Sequence, residues 1–567
     1  MLLALVSSGL EDVPSLIVAN FPNPDSFYKL VLVREYAPET GFQYVARDNA
    51  PIGFYQHWSA VHSWSLFHFQ RLLQLVGLAQ DQALIWAGTS ITLLSMLALT
   101  ALVTLLVINQ GSLLAAIVAA IALVANGPIR AYGQPLQITH HIFMLVPLVA
   151  AAIMLMPSEN AWRRWHFAGS SSGLLLALAL WISPETMPFV VVLLAARTAF
   201  RIQYATRESL WPIAASLCVG LITAWYLDPP PPSFSAWALD HVSLAWLLFG
   251  LLLSVLLVLA DLMVWLRLPL IRMAIVMVVG ALVSAFVWLS TVPGALAGPA
   301  GLIPPELKSL WWDRISELQP VSSTGEVIGY LAMPLVAGVM MTVYAIRRRA
   351  LWMLVLALSV FVYGFLGARH TRMGAAAGLL AIICYGVALS GLTAFREPAK
   401  LHGRYRQQIL ALIFILFPSL QLAAVGLLMD NETLQREKNG SALRCKVADI
   451  ADALNALPPG TVLAPINEGP ELLWRTHHRT IAGNYHHNVS GLLDHFNAWR
   501  SVASDDQARR VMDERKVDYV LGCENVPDSM KLNQGLPTLA SRVAQGTAID
   551  WLPHHEKIGH WHLYRRH

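Results

Sequence analysis

The chain has 567 residues, of which 56% are hydrophobic and only 13% charged. A soluble chain would carry about a quarter charged residues, so this composition, with a mean hydropathy of +0.53, describes a polytopic membrane protein. The net charge of +4 is small and dispersed, which excludes a nucleic-acid partner, and four cysteines are too few for a disulfide framework.

The first apolar run, 1–20, is broken by Glu11-Asp12 and lacks a basic flank. It reads as a weak span rather than a signal peptide. Further runs long enough to cross a bilayer follow at about 84–107, 112–128, 140–156, 168–183, 185–200, 210–227, 243–263, 273–290, 326–346, 351–367, 373–394 and 408–428. The expectation is about thirteen transmembrane helices over 1–428, since only helices satisfy the backbone of such runs. Every second loop is basic: Arg163-Arg164; Arg197, Arg201 and Arg207; Arg267 and Arg272; Arg347-Arg348-Arg349; and Arg396, Lys400, Arg404 and Arg406. These loops are expected in the cytoplasm. The loops 21–83 and 291–325, the 368–372 turn and the tail then share the opposite face, the periplasm of a bacterial inner membrane.

In the tail, 429–567, charge rises and apolar runs shorten, which predicts a soluble α/β domain. Val447–Leu457 and Ser504–Arg515 read as helices; Thr461–Ala464, Thr480–Gly483 and Val517–Leu521 read as short strands. Cys445 and Cys523 fall in this domain and are expected to pair in an oxidising compartment. Cys218 and Cys384 lie in apolar runs and read as core residues. Sequons at Asn431, Asn439 and Asn488 are short and common, and are read as chance.

The polar motifs lie mostly on the outer face. Asp25 stands in Pro24-Asp25-Ser26-Phe27-Tyr28, flanked by apolar and aromatic residues that keep it from free solvation, and Arg34-Glu35 follows at helical spacing. Thr139-His140-His141 opens the fourth span, where a His pair can meet a metal or an anion. Glu185 sits in a very tight turn, where an acid must be paired or functional. Arg314-Ile315-Ser316-Glu317-Leu318-Gln319-Pro320 occupies the longest internal outer loop; without a functional role it is a surface helix stopped by proline. Arg369-His370-Thr371-Arg372 is a short turn whose arginines oppose the positive-inside trend, and a guanidinium fork suits phosphate. The alternative is headgroup snorkelling. In the tail, Asn467-Glu468 and Asn484-Tyr485-His486-His487 belong to a turn-rich, aromatic stretch of the kind that binds ligands.

Taken together, these motifs resemble the GT-C glycosyltransferase superfamily, above all the catalytic subunit of oligosaccharyltransferase. That family has about thirteen spans, an essential Asp just after the first span (here Asp25), a Ser-x-Ser-Glu type motif in its fifth outer loop (here Ile315-Ser316-Glu317), an outer-turn Arg (here Arg369 or Arg372), and a tail motif W-W-D-Y-G. The segment Val462–Gly469 followed by His478–Asn484 has a similar layout to the tail motif, without its tryptophans and aspartate. Thr139-His140-His141 stands where the family has a second acidic motif. Asp25, Arg34-Glu35 and His57-Trp58-Ser59, with the His pair, also resemble bacterial GT-C-like proteins of unassigned acceptor.

The resemblance implies transfer of a sugar from a polyprenyl-phosphate or -diphosphate donor to an acceptor at the outer membrane face, with membrane lipid around the donor. Asp25 and Glu317 would be catalytic. Arg369, Arg372 and His370 would bind the donor phosphate. His140, His141 and Glu35 would be polar or metal ligands, and His57, Trp58, Asn467, Glu468, Tyr485 and His486 would face the acceptor. A divalent ion, Mg or Mn, is the one cofactor implied, although the missing second carboxylate thins its ligand set. Two other classes compete: a lipid-linked-sugar flippase, which would need polar groups at mid-membrane, and an envelope-glycan scaffold, which would not need Asp25 and Glu317 together.

Overall fold

The computed structural model describes residues 19–156, 165–231, 233–393, 412–428, 445–502, 504–526 and 528–566. The weak first run lies almost wholly outside these residues, as do Arg163-Arg164, the basic residues from Arg396 to Arg406, and the sequons at Asn431 and Asn439.

The chain divides into two compact units. The helical unit runs over Thr89–Gly298 and from Ile315 through the helix ending at Leu428. Among the described residues six helices are long and apolar enough to cross a membrane: Gln80–Ile108, which begins in the other unit, Leu244–Trp265, Leu270–Thr291, Thr324–Arg348, Leu351–Arg369 and Thr371–Leu392. Leu113–Ala125 and Gly127–Gly133, bent by 66° to each other, make a seventh if the pair is one broken span. The bend has a local cause. Asn126 ends the first helix and caps the second, its Oδ1 accepting from Ile129 N at 3.2 Å, and Pro128 follows in the first turn. The apolar helices Leu145–Leu155, Phe167–Ile182, Trp211–Leu227 and Leu412–Leu428 are shorter. A helix therefore lies in every predicted run within the described residues, but the expected number of about thirteen crossings is not confirmed.

Burial separates inner from outer helices. The window of Thr371–Leu392 is 89% buried within the protein and that of Leu270–Thr291 only 6%. The latter exposes Ile271, Val278, Leu282 and Phe286, as a lipid-facing helix must. Helix Thr324–Arg348 opens with a capping box between Ser323 and Glu326 and packs against Leu351–Arg369 and Gly374–Thr393. These three helices carry the Ile315–Pro320 and Arg369–Arg372 segments.

The mixed unit joins three stretches far apart in sequence: 19–88, Pro299–Arg314 and the tail from Cys445. The largest of its sheets has five strands in the order Arg479–Thr480, Thr461–Leu463, Val517–Cys523, Trp561–Arg565, His554–Ile558. The first two pairings are parallel and the last two antiparallel. Val447, Ile450, Leu454, Val462, Leu472, Leu521, Trp561 and Leu563 form one core beneath it. The predicted helix over Val447–Leu457 is a 3-10 turn, Val447–Asp449, followed by a short helix, Ala451–Asn455. Asn488 is buried and caps helix Val489–Trp499, accepting from Gly491 N at 3.1 Å, so its sequon serves the fold.

Cys445 and Cys523 form a disulfide, with Cα atoms 6.1 Å apart and a sequence separation of 78. It joins the start of the tail to the central strand at the edge of the core. Cys445→Ser is expected to lower the stability of the tail by about 2–5 kcal/mol. Denaturant unfolding followed by tryptophan fluorescence checks this, since Trp561 lies in that core.

The N-terminal stretch is fastened to the tail by arginines. Arg34 donates to the carbonyls of Trp474 and Leu473, each at 2.6 Å. Arg47 donates to Thr476 O at 2.7 Å, His478 O at 3.0 Å and Leu473 O at 2.6 Å, and pairs with Glu35 through Nε at 2.8 Å. Glu35, predicted as a polar or metal ligand, thus has its charge matched by Arg47 inside this clamp.

Candidate functional site

In the mixed unit the site is built on helix Pro24–Arg34. Asn23 caps the helix by accepting from Asp25 N at 2.8 Å, and Pro24 provides the first-turn φ. Asp25 therefore stands in the first turn, where the helix dipole favours a carboxylate. Beyond it, residues 26–33 are all buried, including Lys29, whose Nζ lies 3.9 Å from the Trp58 ring centre. Asp25 is half-buried and accepts from Tyr485 Oη at 3.3 Å.

Tyr485 is held by an aromatic cluster: its ring lies 4.4 Å from Tyr28, 5.3 Å from Trp58 and 6.2 Å from Phe54. His57 lies 5.8 Å from Trp58 and 4.3 Å from His486. Asn467 joins this group through Asn484, whose Nδ2 donates at 3.4 Å. Glu468 caps helix Gly469–Arg475 through its backbone, its carbonyl accepting from Leu472 N at 2.9 Å. Asp25, His57, Trp58, Tyr485, His486 and Asn467 thus gather in one region, while Glu35 serves the arginine clamp.

The group that supports this region is Asp48, which was not singled out from sequence. It is fully buried and accepts from Tyr28 Oη at 2.8 Å, Asn49 N at 2.8 Å and Gly483 N at 3.1 Å. Gly483 cannot be replaced without disturbance, because a Cβ there would lie 3.1 Å from the Tyr485 ring and 3.2 Å from Asp48 Oδ2. Burial raises the Asp48 carboxyl from 3.8 to about 6, with the bonds from Tyr28, Asn49 and Gly483 pulling the other way. Burial also pushes the Tyr28 and Tyr485 phenols well above their usual range, so both remain hydrogen donors.

The sign of the pH effect follows from the raised carboxyl. Asp48 contributes most to stability below pH about 4, and that contribution is lost as pH rises through about 6. A rise of this size corresponds to about 3 kcal/mol. In Asp48→Asn this loss is expected to disappear, so the difference in melting temperature between wild type and variant should change between pH 4.5 and 7. A constant difference over that range would refute the assignment.

In the helical unit the site is built on the turn between Leu351–Arg369 and Gly374–Thr393. Arg372 pairs with Glu185 at 2.6 Å and lies 3.8 Å from Glu317. Glu185 is fixed by its turn, Ser183 Oγ accepting from Glu185 N at 3.4 Å. Glu317 lies in a 3-10 turn, Ser316–Leu318, rather than in the amphipathic helix that is the plain reading of the segment. That turn is laced to the arginine turn: His370 Nδ1 lies 3.0 Å from Leu318 O, Thr371 Oγ1 donates to Ser316 O at 3.2 Å, and Thr371 N donates to Gln319 O at 3.3 Å. His370 therefore contacts the Glu317 loop. Arg369 ends its helix exposed.

The His140-His141 pair does not open a helix. It lies in turns, and the helix begins four residues later at Leu145, with Met144 N donating to His140 O at 2.9 Å. Both histidines are buried, and His141 packs 4.3 Å from Tyr132. Tyr132 in turn lies within electrostatic reach of Glu317, Arg372 and Glu185. The helical unit thus brings together Glu317, Arg372, His370 and, through Tyr132, the His pair.

The fold, a helical body followed by a region with a mixed sheet, is shared with solved oligosaccharyltransferase structures. The structures that share it include the archaeal oligosaccharyltransferase AglB of Archaeoglobus fulgidus in complex with an inhibitory peptide and a dolichol-phosphate. That match has a TM-score of 0.62 and 15% identity over 92% of this chain and 69% of AglB. The same enzyme tethered to an acceptor peptide containing the NVT sequon matches with TM-score 0.60 and 14% identity, over 89% of this chain and 65% of the other. Its complex with Zn and sulfate matches with TM-score 0.57 and 15% identity, over 88% and 64%. No family profile and no curated protein matches the sequence.

Proposed function

We propose that this protein is a membrane glycosyltransferase that moves a sugar from a polyprenyl-phosphate or -diphosphate donor to an envelope acceptor at the periplasmic face. The observation that carries the reading is the Arg372 cluster: a carboxylate of the predicted motif, Glu317, held by an arginine of the predicted turn. It occurs in a fold shared with an enzyme solved with a dolichol-phosphate. This reading puts the tail in the periplasm, and the Cys445–Cys523 disulfide supports an oxidising compartment for it.

In the reaction, a nucleophilic group of the acceptor attacks the anomeric carbon. The bond from that carbon to the phosphate oxygen breaks, and its electron pair leaves with the phosphate. Asp25 takes the acceptor's proton, as a general base must. Tyr485, a donor at all working pH values, holds the Asp25 carboxylate in place.

The two arginines have different roles. Arg372 is already matched by two carboxylates, so its group carries a net charge of about −1 and does not attract a phosphate. It positions Glu317. Exposed Arg369 is the cation offered to the donor phosphate, where electrostatic stabilisation of the leaving group counts most. Glu317 orients the acceptor, and His140 and His141 support it through Tyr132. An Mg or Mn ion would take oxygen ligands. Glu317 has its charge matched by Arg372, so no step of the reaction is routed through such an ion.

The test is mass spectrometry of lipid-linked sugars and envelope glycans in a deletion strain. Expected is accumulation of one polyprenyl-linked sugar and loss of one glycan modification, restored by the wild-type chain. Unchanged donor and glycan pools would overturn the reading.

A further inference from the structure

We propose that His57, His486 and His487 form a three-imidazole site for a borderline divalent ion of the zinc class. The three rings are mutual neighbours, with centres 4.3 Å apart for His57 and His486, 5.1 Å for His57 and His487, and 4.7 Å for His486 and His487. Each offers a ring nitrogen within 4.8 Å of those of the others. Around a tetrahedral zinc, with Zn–N bonds of about 2.0–2.1 Å, ligand nitrogens stand about 3.3 Å apart. Closing the set onto an ion therefore requires shifts of about 1–1.5 Å. The turn at His486-His487, closed by Asn488 N donating to Tyr485 O at 2.9 Å, lets adjacent side chains reach one point.

The donor set also selects the ion. Imidazoles suit zinc, copper and nickel, whereas magnesium and manganese prefer carboxylate and water oxygens. Three imidazole nitrogens are the protein ligand number of zinc sites that take one further ligand. The surroundings favour binding. His57 is buried beside Trp58, and Trp312 packs edge-on against His486 at 6.0 Å, so water is partly excluded. This differs from the Mg or Mn site expected from carboxylates and assigns no part in proton transfer to the ion.

The consequence is positional. His57 belongs to the first long loop and His486-His487 to the tail, and Tyr485, next in the chain, donates to Asp25. An ion at the three imidazoles would clip the two segments together and hold Tyr485 where it meets Asp25. The site does not depend on sugar transfer, because it is read by metal content.

The experiment uses the full, tag-free chain in detergent, stripped with EDTA, incubated with limiting ZnCl2, MgCl2 or MnCl2, and desalted. Expected is about one zinc per chain by elemental mass spectrometry, with no retained magnesium or manganese. Cobalt loading should give the strong visible absorption of a tetrahedral ion. His57→Ala, His486→Ala and His487→Ala should each weaken zinc binding at least tenfold, while His555→Ala and His562→Ala, at a second histidine pair in the sheet, leave it unchanged. His487 is exposed, so His487→Ala decides the matter should a buried variant fail to fold. Wild-type retention below about one zinc per ten chains, or equal retention by His487→Ala, overturns the proposal.

Discussion

Asp25→Asn is expected to reduce sugar transfer by about 10²–10⁴-fold, the range a positioned general base contributes, with little change in stability. The substitution keeps the shape and lets the amide oxygen accept from Tyr485, but it removes the basic lone pair. The helix cap is untouched, because Asn23 binds the backbone N of residue 25 and not its side chain. Loss of the first-turn charge costs about 0.3–1 kcal/mol. The check is single-turnover transfer from a purified lipid-linked donor, with melting temperature measured on the same sample. Activity within tenfold of wild type would remove Asp25 from the role of base.

Arg372→Ala is expected to lower kcat by about 10²-fold while leaving the donor KM within about threefold, because the arginine acts through Glu317. Without it, Glu185 and Glu317 lose the cation between them, and the carboxylates repel. Adding Glu185→Gln to Arg372→Ala should recover part of the loss, since one of the two uncompensated charges is gone. That non-additivity is the signature of a coupled cluster. Arg369→Ala should instead raise the donor KM about tenfold or more, as expected for a charge-assisted bond of about 1.5–3 kcal/mol. An equal rise in KM for both variants would mean that Arg372 binds the phosphate directly.

Much of this was legible in the chain. Apolar runs locate helices well, because a helix in lipid must satisfy its own backbone, and the run at 112–128 foretells Leu113–Ala125. Length is harder to read. The run at 140–156 promises a full crossing, but Thr139-His140-His141 and the three residues after them fold into turns, so the helix covers only Leu145–Leu155. The pairing of Glu185 follows from its confinement in a tight turn. The partner Arg372, far off in sequence, does not.

Asp48 was missed because its neighbours, Arg47 and Asn49, read as an ordinary polar turn. Nothing local shows that Tyr28 and Gly483 will enclose it. The edge hairpin His554–Ile558 and Trp561–Arg565 was missed as well. One of its strands is exposed and rich in histidine and charge, so its alternation carries little contrast. The turn residue Gly559, with φ +59°, was the available signal.

The arginine clamp between residues 34–47 and 473–478 also bears on how the protein is made. Arg47 and its carbonyl partner at Thr476 are 429 residues apart. A ribosome adding about 5–20 residues per second therefore needs about 20–90 seconds after making Arg47 before that partner exists. During that interval the first loop holds Asp48, Arg34 and Arg47 without the tail groups that satisfy them. A message truncated anywhere before the tail yields a chain whose membrane helices can insert but whose first loop stays unsatisfied, a ready target for proteolysis. Only a chain translated past residue 478 can close the clamp over its first loop.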